Sequence, residues 1–128
     1  MAEEVTKKVL LVDDDSMVLH LWLAYCDVMG VAYEIACDGQ KALEIFRANY
    51  EAFGVLVTDQ DMPVMGGIML ACEIRVLAPN LPIIFITGRS TPALEAAANE
   101  LGATVLAKPV PLIIFKNAIL TALVSVSS

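Results

Sequence analysis

The stretch Val55-Leu-Val-Thr-Asp59-Gln-Asp61-Met-Pro63 decides the fold of this chain. Its first four residues are apolar or β-branched, and the run is too short for a helix, so it favours a buried β-strand. Pro63 prevents the strand from continuing. Asp59 is therefore expected at the carboxyl end of a strand. In an open parallel sheet, ligands bind at this edge because the loops diverge there and leave a crevice.

Polar side chains also follow three other apolar runs. These are Val9–Val12 before Asp13, Asp14 and Asp15, Ile83–Ile86 before Thr87 and Gly88, and Val105–Ala107 before Lys108 and Pro109. The carboxyl ends of parallel strands meet at one edge of a sheet. We therefore expect carboxylates, a hydroxyl and one ammonium group to converge on the same edge as Asp59.

Helical patterns alternate with the strands. The first helix is predicted over 16–29, with Asp15 or Ser16 as its N-cap and Gly30 as its end. The other predicted elements are a strand over 31–36, a helix capped by Asp38 with Ala42, Leu43, Phe46 and Tyr50 on one face, a helix over 68–77, a helix from Ser90 or Thr91 to Gly102, and a last helix over 111–124. Five strands alternating with five helices predict a doubly wound α/β fold, with residues 1–128 as a single domain.

The composition argues against several classes of protein. The chain has 128 residues, of which 58% are hydrophobic and 18% are charged, which is enough for a packed core. Its net charge is −7 and its Lys and Arg residues are dispersed, so direct binding to nucleic acid is not expected. No run approaches the roughly 18 apolar residues that a membrane span needs, and the start has no apolar signal core. We expect a soluble, cytoplasmic protein without membrane contact.

The three cysteines, Cys26, Cys37 and Cys72, are odd in number and lack the spacing of metal ligands. In a cytoplasmic protein they are expected to stay reduced and to fill the core. His20 is the only histidine. A lone histidine on a helix is expected to be a partly exposed surface residue rather than a reactive group.

The carboxylates at the sheet edge point to a metal ion. Asp13, Asp14 and Asp59 in one crevice repel one another, so a hard divalent cation with oxygen ligands is expected to keep them ionised. Magnesium suits this site, because it keeps some waters and shares phosphate oxygens. Thr87 and Lys108 at the same edge suggest a phosphoryl group held between Mg²⁺ and the lysine. One aspartate is then the nucleophile, since carboxylates form acyl phosphates.

Four motifs follow one another along the chain: Leu-Val-Asp13-Asp14-Asp15, Val-Thr-Asp59-Gln-Asp61-Met62-Pro63-Val-Met65-Gly-Gly67, Ile-Thr87-Gly88 and Lys108-Pro109. Their order closely resembles the receiver domain of bacterial two-component response regulators, and the resemblance covers the whole chain. It implies a flavodoxin-like sheet with strand order 2-1-3-4-5, and a cis peptide between the lysine and proline of the last motif.

The same resemblance implies a function. Asp59 is the expected phosphoacceptor and takes a phosphoryl group from a sensor histidine kinase. Such a domain is not an enzyme beyond its own phosphoryl transfer and dephosphorylation, and it signals through altered protein–protein contacts. The implied roles are direct Mg²⁺ ligation by Asp14 and Asp59, ligation through water by Asp13, a backbone carbonyl contact from Asp61, and binding of phosphoryl oxygens by Thr87 and Lys108.

The chain departs from the family pattern at several positions. Val105 stands three residues before the lysine, where the family usually has Tyr or Phe, so the aromatic ring that moves when the threonine engages the phosphoryl group is missing. Val110 replaces a common Phe. Gly66 replaces the usual Asp of Met-Pro-x-Met-Asp-Gly, which is expected to loosen the start of the third helix. Gly88 is a small residue of the kind the family uses there, which leaves room for the phosphoryl group.

Two other functions remain open. A haloacid-dehalogenase-like phosphohydrolase also has a strand ending in Asp-x-Asp, here Asp59-Gln-Asp61. In that family the nucleophile strand comes early and the acidic pair last, whereas here Asp13 and Asp14 come first and no acidic pair follows Lys108. The other alternative is a receiver-like module that binds proteins without being phosphorylated.

Asp61 and Arg89 lie two residues after Asp59 and Thr87, respectively. In the family these two positions tune the lifetime of the phosphoryl group. Their opposite charges are expected to pair across the site entrance, with an energy of only about 0 to 1 kcal/mol.

The first and last helices carry more apolar residues than one buried face needs. The expected core positions are Val18, Trp22, Tyr25, Cys26 and Met29 in the first helix, and Phe115, Ile119 and Leu123 in the last. The surplus positions are Leu19, Leu21 and Leu23, and Leu112, Ile113 and Leu120. The implied strand order makes these helices neighbours. Their surplus residues are expected to form a surface for a homodimer, the helices of the kinase or a neighbouring domain.

Overall fold

The structure is a computed structural model that describes the backbone of residues 7–127 and the side chains of residues 7–124. Within that range it has the predicted five strands and five helices. The strands are β1 (Lys8–Val12), β2 (Tyr33–Ala36), β3 (Phe53–Thr58), β4 (Ile83–Thr87) and β5 (Thr104–Ala107). The helices are α1 (Ser16–Met29), α2 (Gly39–Ala48), α3 (Gly67–Leu77), α4 (Pro92–Leu101) and α5 (Leu112–Ser127), with a short 3₁₀ turn at Tyr50–Ala52.

The strands form one parallel sheet in the order β2-β1-β3-β4-β5, which confirms the predicted topology. The chain reverses its direction across the sheet between β1 and β3, and in such folds the binding crevice lies there, outside the carboxyl ends. Val12 pairs with Thr58, so Asp13 and Asp59 emerge side by side. The amide of Asp59 donates to the carbonyl of Val12 at 3.1 Å, which holds the two strand ends together.

Apolar side chains fill both faces of the sheet. Every residue of β3 is buried, as expected for a central strand covered by helices on both sides. Leu56 faces the core beneath α2, α3 and α4, where Phe46 is fully buried. Val57 faces the opposite core beneath α1 and α5, where Trp22 and Phe115 are buried. The neighbouring positions of α1 and α5 agree with the prediction from the strand order.

Side chains and glycines at the helix ends explain where the helices begin and stop. Gly30 and Gly102 adopt left-handed φ angles of 74° and 67° and end α1 and α4, as predicted. The side-chain caps are Asp15, which accepts from the Met17 amide, Asp38, which accepts from the Lys41 amide, and Thr91, which accepts from the Leu94 amide. The structure thus selects Asp15 over Ser16 and Thr91 over Ser90.

The prediction that Leu19 is a surplus surface residue is wrong. Leu19 is only 5% exposed and packs in the core beneath α1 and α5. Leu23 is also partly buried against that core. Leu19 lies three residues before Trp22 and seven before Cys26, the other two buried residues of α1, so the buried stripe of the helix passes through Leu19. Of the three surplus leucines of α1, only Leu21 is exposed.

Two of the three cysteines do not fill the core. Cys26 is buried, but Cys37 and Cys72 are exposed. Cys37 follows β2 at the end of an edge strand, and Cys72 lies on the outer side of α3, so neither is covered by another element. The placement of Tyr50 on α2 is also wrong, since α2 ends at Ala48 and Tyr50 lies in the 3₁₀ turn that follows.

None of the helices between residues 7 and 127 is both long enough and apolar enough to cross a membrane.

Candidate functional site at the edge of the sheet

Polar side chains converge at the carboxyl-terminal edge of the sheet. We call this edge the rim, and define it by Asp13, Asp59, Thr87 and Lys108, which follow or end β1, β3, β4 and β5. The exposed fractions of Asp13, Asp59 and Thr87 are only 0%, 6% and 2%. Buried polar groups are expensive unless they are paired, so the rim is a built polar site rather than an ordinary surface.

Three carboxylates lie close together at the rim. One oxygen each from Asp13, Asp14 and Asp59 lies within 4.8 Å of the others. Asp14 is exposed, so the cluster is open to solvent on one side. Carboxylate oxygens are the ligands that hard cations such as Mg²⁺ prefer, and their number and spacing fit a divalent ion.

Lys108 is the cation that balances two of these acids. Its Nζ lies 2.7 Å from Oδ2 of Asp13 and 3.2 Å from Oδ2 of Asp59. The same ammonium lies 5.9 Å from the centre of the Trp22 ring, within range of a cation–π contact. The peptide between Lys108 and Pro109 is cis, as predicted, and the Lys108 amide donates to the Thr87 carbonyl at 2.9 Å.

Burial and charge shift the pKa values of this pair. Burial raises the pKa of Asp13, although the hydrogen bonds from Lys108 and from the Asp15 amide act against that shift. Burial alone would lower the pKa of Lys108, but the hydrogen bond and charge of Asp13, together with Asp59, outweigh it and raise that pKa. Lys108 therefore stays charged at neutral pH.

Backbone groups orient the remaining oxygens. Oδ1 of Asp13 accepts from the Asp15 amide at 2.8 Å, and Oδ1 of Asp59 accepts from the Gln60 amide at 2.8 Å. The hydroxyl of Thr58 donates to the Asp59 carbonyl at 2.8 Å. Asp59 is thus held with one oxygen on the backbone and the other facing Lys108.

Thr87 is buried at the end of β4, and its hydroxyl bonds only to its own loop. Its Oγ1 donates to the Arg89 carbonyl at 3.2 Å and accepts from the Arg89 amide at 3.3 Å. A Cβ atom added at Gly88 would meet nothing within 4 Å, so there is open space next to the threonine. That space agrees with the prediction that a small residue leaves room at this position.

Asp61 lies outside the group of three carboxylates, and its side chain is exposed. Its predicted pairing with Arg89 is not formed, since the ion pairs of the described side chains do not include these two residues. Both side chains lie in loops open to water, where an ion pair gains little and costs side-chain entropy.

The loop after β3 contains two features that the sequence patterns did not reveal. Gly66, the N-cap of α3, has no side chain to cap the helix, and Oε1 of Gln60 accepts from the Ile68 amide at 2.7 Å instead. Val64 has a left-handed φ of 69°, and the Met65 amide donates to the Pro63 carbonyl across it at 2.8 Å. The missing cap at Gly66 was the available signal that another residue must satisfy the helix.

Comparisons with known proteins agree with this architecture. The response regulator receiver protein CpdR of Brucella abortus (strain 2308) is 35% identical over 104 residues, which cover 80% of this chain and 85% of CpdR. A solved structure of a CheY-like receiver domain protein from Methanospirillum hungatei JF-1 has a TM-score of 0.89 at 24% identity, and covers 95% of this chain and 97% of that chain. At that identity the likeness shows the fold alone.

Some relatives are much longer than this chain. The autoinducer 1 sensor kinase/phosphatase LuxN of Vibrio campbellii (strain ATCC BAA-1116) is 35% identical over 82 residues, which are 64% of this chain but 9% of LuxN. The family model described as the response regulator receiver domain matches residues 9–120. With that match and the sheet order described above, this chain belongs to the response regulator receiver domain family.

Proposed function

We propose that this chain is the phosphoacceptor of a two-component phosphorelay and takes its phosphoryl group from a histidine kinase onto Asp59. The observation that supports this most directly is the position of Oδ2 of Asp59, 3.2 Å from the ammonium of Lys108 and within a group of three carboxylates. A buried carboxylate next to a fixed cation is a nucleophile whose attack on a phosphoryl group meets less charge repulsion.

In the proposed step, a carboxylate oxygen of Asp59 attacks phosphorus and an O–P bond forms. The P–N bond to the donor histidine breaks, and the imidazole leaves with the electron pair and takes up a proton from water. Lys108 offsets the negative charge on the transferred group, and the hydroxyl of Thr87 turns from its own loop to donate to a phosphoryl oxygen. Hydrolysis of the acyl phosphate by water then returns Asp59 to its free form.

We further propose that Mg²⁺ is the cofactor of this reaction. Asp13, Asp14 and Asp59, with the backbone carbonyl of Asp61, would hold the ion, and the three clustered carboxylates support this assignment. When bound, the ion supplies positive charge that offsets the carboxylates and the phosphoryl oxygens. Lys108 bonds to Asp13 and Asp59, and no ion pair of the described side chains includes Asp14. A bound cation would offset the charge of Asp14, which Lys108 does not reach.

The test is intact-mass spectrometry after incubation with acetyl phosphate, with Mg²⁺ and with a chelator in its place. We expect one phosphoryl adduct in Mg²⁺ and none with the chelator. Asp59→Asn should abolish the adduct, because the amide is a poor nucleophile. The matched control is Asp38→Asn, which changes an acid at the N-cap of α2, away from the rim, and should leave the adduct intact. A full adduct in Asp59→Asn would contradict the assignment, and the absence of any adduct in the wild-type protein would favour the non-phosphorylated binding module.

We propose that exposed residues of α1 and α5 form a partner surface for the kinase helices, a second copy or a neighbouring domain. On α1, Met17, Leu21 and Val28 are 80%, 40% and 74% exposed and follow one line along the helix. On α5, Ile113 and Leu120 are 59% and 39% exposed. Exposed apolar stripes on adjacent helices are typical of interaction sites.

A further inference from the structure

The amino terminus of α3 lacks a cap of its own. The first amides of a helix have no partner within the helix, and a side chain at the N-cap normally accepts from one of them. The N-cap of α3 is Gly66, which makes no side-chain hydrogen bond, and the helix begins at Gly67. The first turn of α3 therefore depends on acceptors from outside the helix.

Gln60 supplies these acceptors. Its side-chain Oε1 accepts from the Ile68 amide at 2.7 Å, and its backbone carbonyl accepts from the Gly67 amide at 3.1 Å. Gln60 is partly buried, so water competes only in part for these bonds. One residue of the loop after β3 thus takes over the role of the missing N-cap.

The same residue also contacts the phosphoacceptor. The amide of Gln60 donates to Oδ1 of Asp59 at 2.8 Å. There is little free space between the two segments, because a Cβ atom at Gly67 would lie 2.2 Å from the Asp59 carbonyl oxygen, and one at Gly66 would lie 2.9 Å from the Gln60 carbonyl oxygen. The loop and the start of α3 are packed too closely for Gln60 to move alone. A movement of Gln60 relative to Asp59 therefore also moves the first residues of α3.

The far end of α3 is fixed. The guanidinium of Arg75 donates to the Leu81 carbonyl at 2.6 Å and to the Leu101 carbonyl at 2.7 Å, which ties the last turn of α3 to the chain before β4 and to the end of α4. A movement of Gln60 is therefore expected to alter mainly the first turns of α3, because the last turn is held in place by Arg75.

We propose that Gln60 is a positioning residue that transmits the phosphorylation state of Asp59 to α3. The inference rests on the proposed phosphorylation of Asp59. Before phosphorylation, the Gln60 amide donates to a charged carboxylate, and charge-assisted hydrogen bonds are about twice as strong as neutral ones. Once the carboxylate becomes an acyl phosphate, Oδ1 no longer shares a full negative charge. The hydrogen bond from the Gln60 amide to Asp59 therefore weakens. Gln60 is then held less firmly, and the hydrogen bond that its Oε1 accepts from the Ile68 amide weakens as well.

The contacts from Asp59 through Gln60 lead to α3, whose solvent side carries exposed apolar residues that a partner protein could bind. Along the solvent side of α3, Met69, Cys72 and Val76 are exposed, and Met69 and Val76 are 56% and 80% exposed. Val105 offers no aromatic ring that could move at β5. A link from Asp59 through Gln60 to α3 acts without such a ring.

The experiment measures amide hydrogen exchange at Ile68 and along α3 by NMR, in the free protein and in the protein with Mg²⁺ and beryllofluoride, an acyl-phosphate mimic. In the wild-type protein we expect exchange at Ile68 to become about fivefold faster on modification, the factor that corresponds to loss of one N-cap. Gln60→Met has nearly the same shape but no acceptor, so Ile68 should exchange fast in both states. Gln60→Glu keeps an acceptor and should restore the response.

Thr91→Val is the matched control, because it removes the side-chain cap of α4 without touching Gln60. It should lower the melting temperature as Gln60→Met does, yet keep the response at Ile68. Intact-mass spectrometry after incubation with acetyl phosphate tests the phosphorylation of Asp59 separately from the role of Gln60. Absence of a phosphoryl adduct in the wild-type protein would overturn both, whereas a full adduct with unchanged exchange at Ile68, or a full response in Gln60→Met, would overturn the role of Gln60 alone.

Discussion

Lys108 lies closer to Asp13 than to the proposed phosphoacceptor: its Nζ is 2.7 Å from Oδ2 of Asp13 and 3.2 Å from Oδ2 of Asp59. Asp13 is fully buried, so its charge depends on this lysine for compensation. Lys108 therefore has a structural role, holding the ends of β1, β3 and β5 together, in addition to its proposed role with the phosphoryl group.

The first prediction concerns the loss of this cation. Lys108→Ala leaves the buried carboxylate of Asp13 without its partner, and we expect it to lower the free energy of unfolding by about 2 kcal/mol at neutral pH. Lys116→Ala, which removes an exposed lysine on α5, is the control and should change it by less than about 0.5 kcal/mol. Urea denaturation measures both, and equal effects would contradict the structural role of Lys108.

The same variant has a pH dependence of known sign. Burial raises the pKa of Asp13, and removal of Lys108, whose hydrogen bond and charge lower it, raises it further. A carboxyl with a raised folded-state pKa favours the folded protein at low pH, and that contribution is lost as pH rises through the folded-state pKa. The deficit of Lys108→Ala should therefore shrink as the pH is lowered from neutrality towards the ordinary pKa of an aspartate, about 4. A constant deficit across this range would show that Asp13 does not titrate in the variant.

The second prediction concerns the thiols. Burial, with a smaller contribution from Asp27, raises the pKa of Cys26 to about 12, whereas Cys37 and Cys72 are exposed. Because the thiolate is the reactive form, two thiols should react quickly with a disulfide reagent at about pH 8 and the third only after unfolding. Cys26→Ala should remove the slow class. Above about pH 9 the unfolded chain ionises Cys26 while the folded chain does not, so its contribution to stability declines there.

The third prediction separates neighbouring leucines of α1. Leu19 is 5% exposed and Leu21 is 40% exposed. Leu19→Ala should therefore cost about 2 to 5 kcal/mol through the cavity it leaves, while Leu21→Ala should cost less than about 1 kcal/mol.

The exposed leucines also provide the test of the partner surface. Leu21→Glu combined with Leu120→Glu should leave the fold and the phosphoryl adduct from acetyl phosphate intact. We expect weaker self-association, measured by analytical ultracentrifugation, or slower transfer from the cognate kinase. If neither changes, the stripes on α1 and α5 are not a partner surface.

The fourth prediction compares two exposed valines. Val64 is 88% exposed and has a φ of 69°, a region in which a β-branched residue is strained, whereas Val76 is 80% exposed within α3. Val64→Gly should raise the free energy of unfolding by up to about 1 kcal/mol because glycine adopts this φ freely. Val76→Gly, in the last turn of α3, should lower it by up to roughly 0.5 kcal/mol because glycine is a poorer helix former than valine. Effects of the same sign would contradict the strain at Val64.

Local sequence determined the elements and their ends. Asp15, Asp38 and Thr91 cap their helices through bonds to amides two or three residues away, and Gly30 ends α1 through its own backbone angle. The alternation of apolar runs with helices determined the parallel sheet, and the sheet in turn brings the residues that follow its strands to one rim. These features depend on short separations along the chain or on the general geometry of parallel sheets, which is why they could be predicted.

Only the tertiary structure decided which atoms meet. Lys108 bonds to Asp13 across 95 positions of sequence, and Gln60 caps α3 from eight positions away, a separation that no helix-start pattern contains. Asp61 does not pair with Arg89 because the two side chains lie in separate loops open to water. Burial and pairing of this kind depend on the positions of several elements at once, whereas periodicity reports the environment of only one.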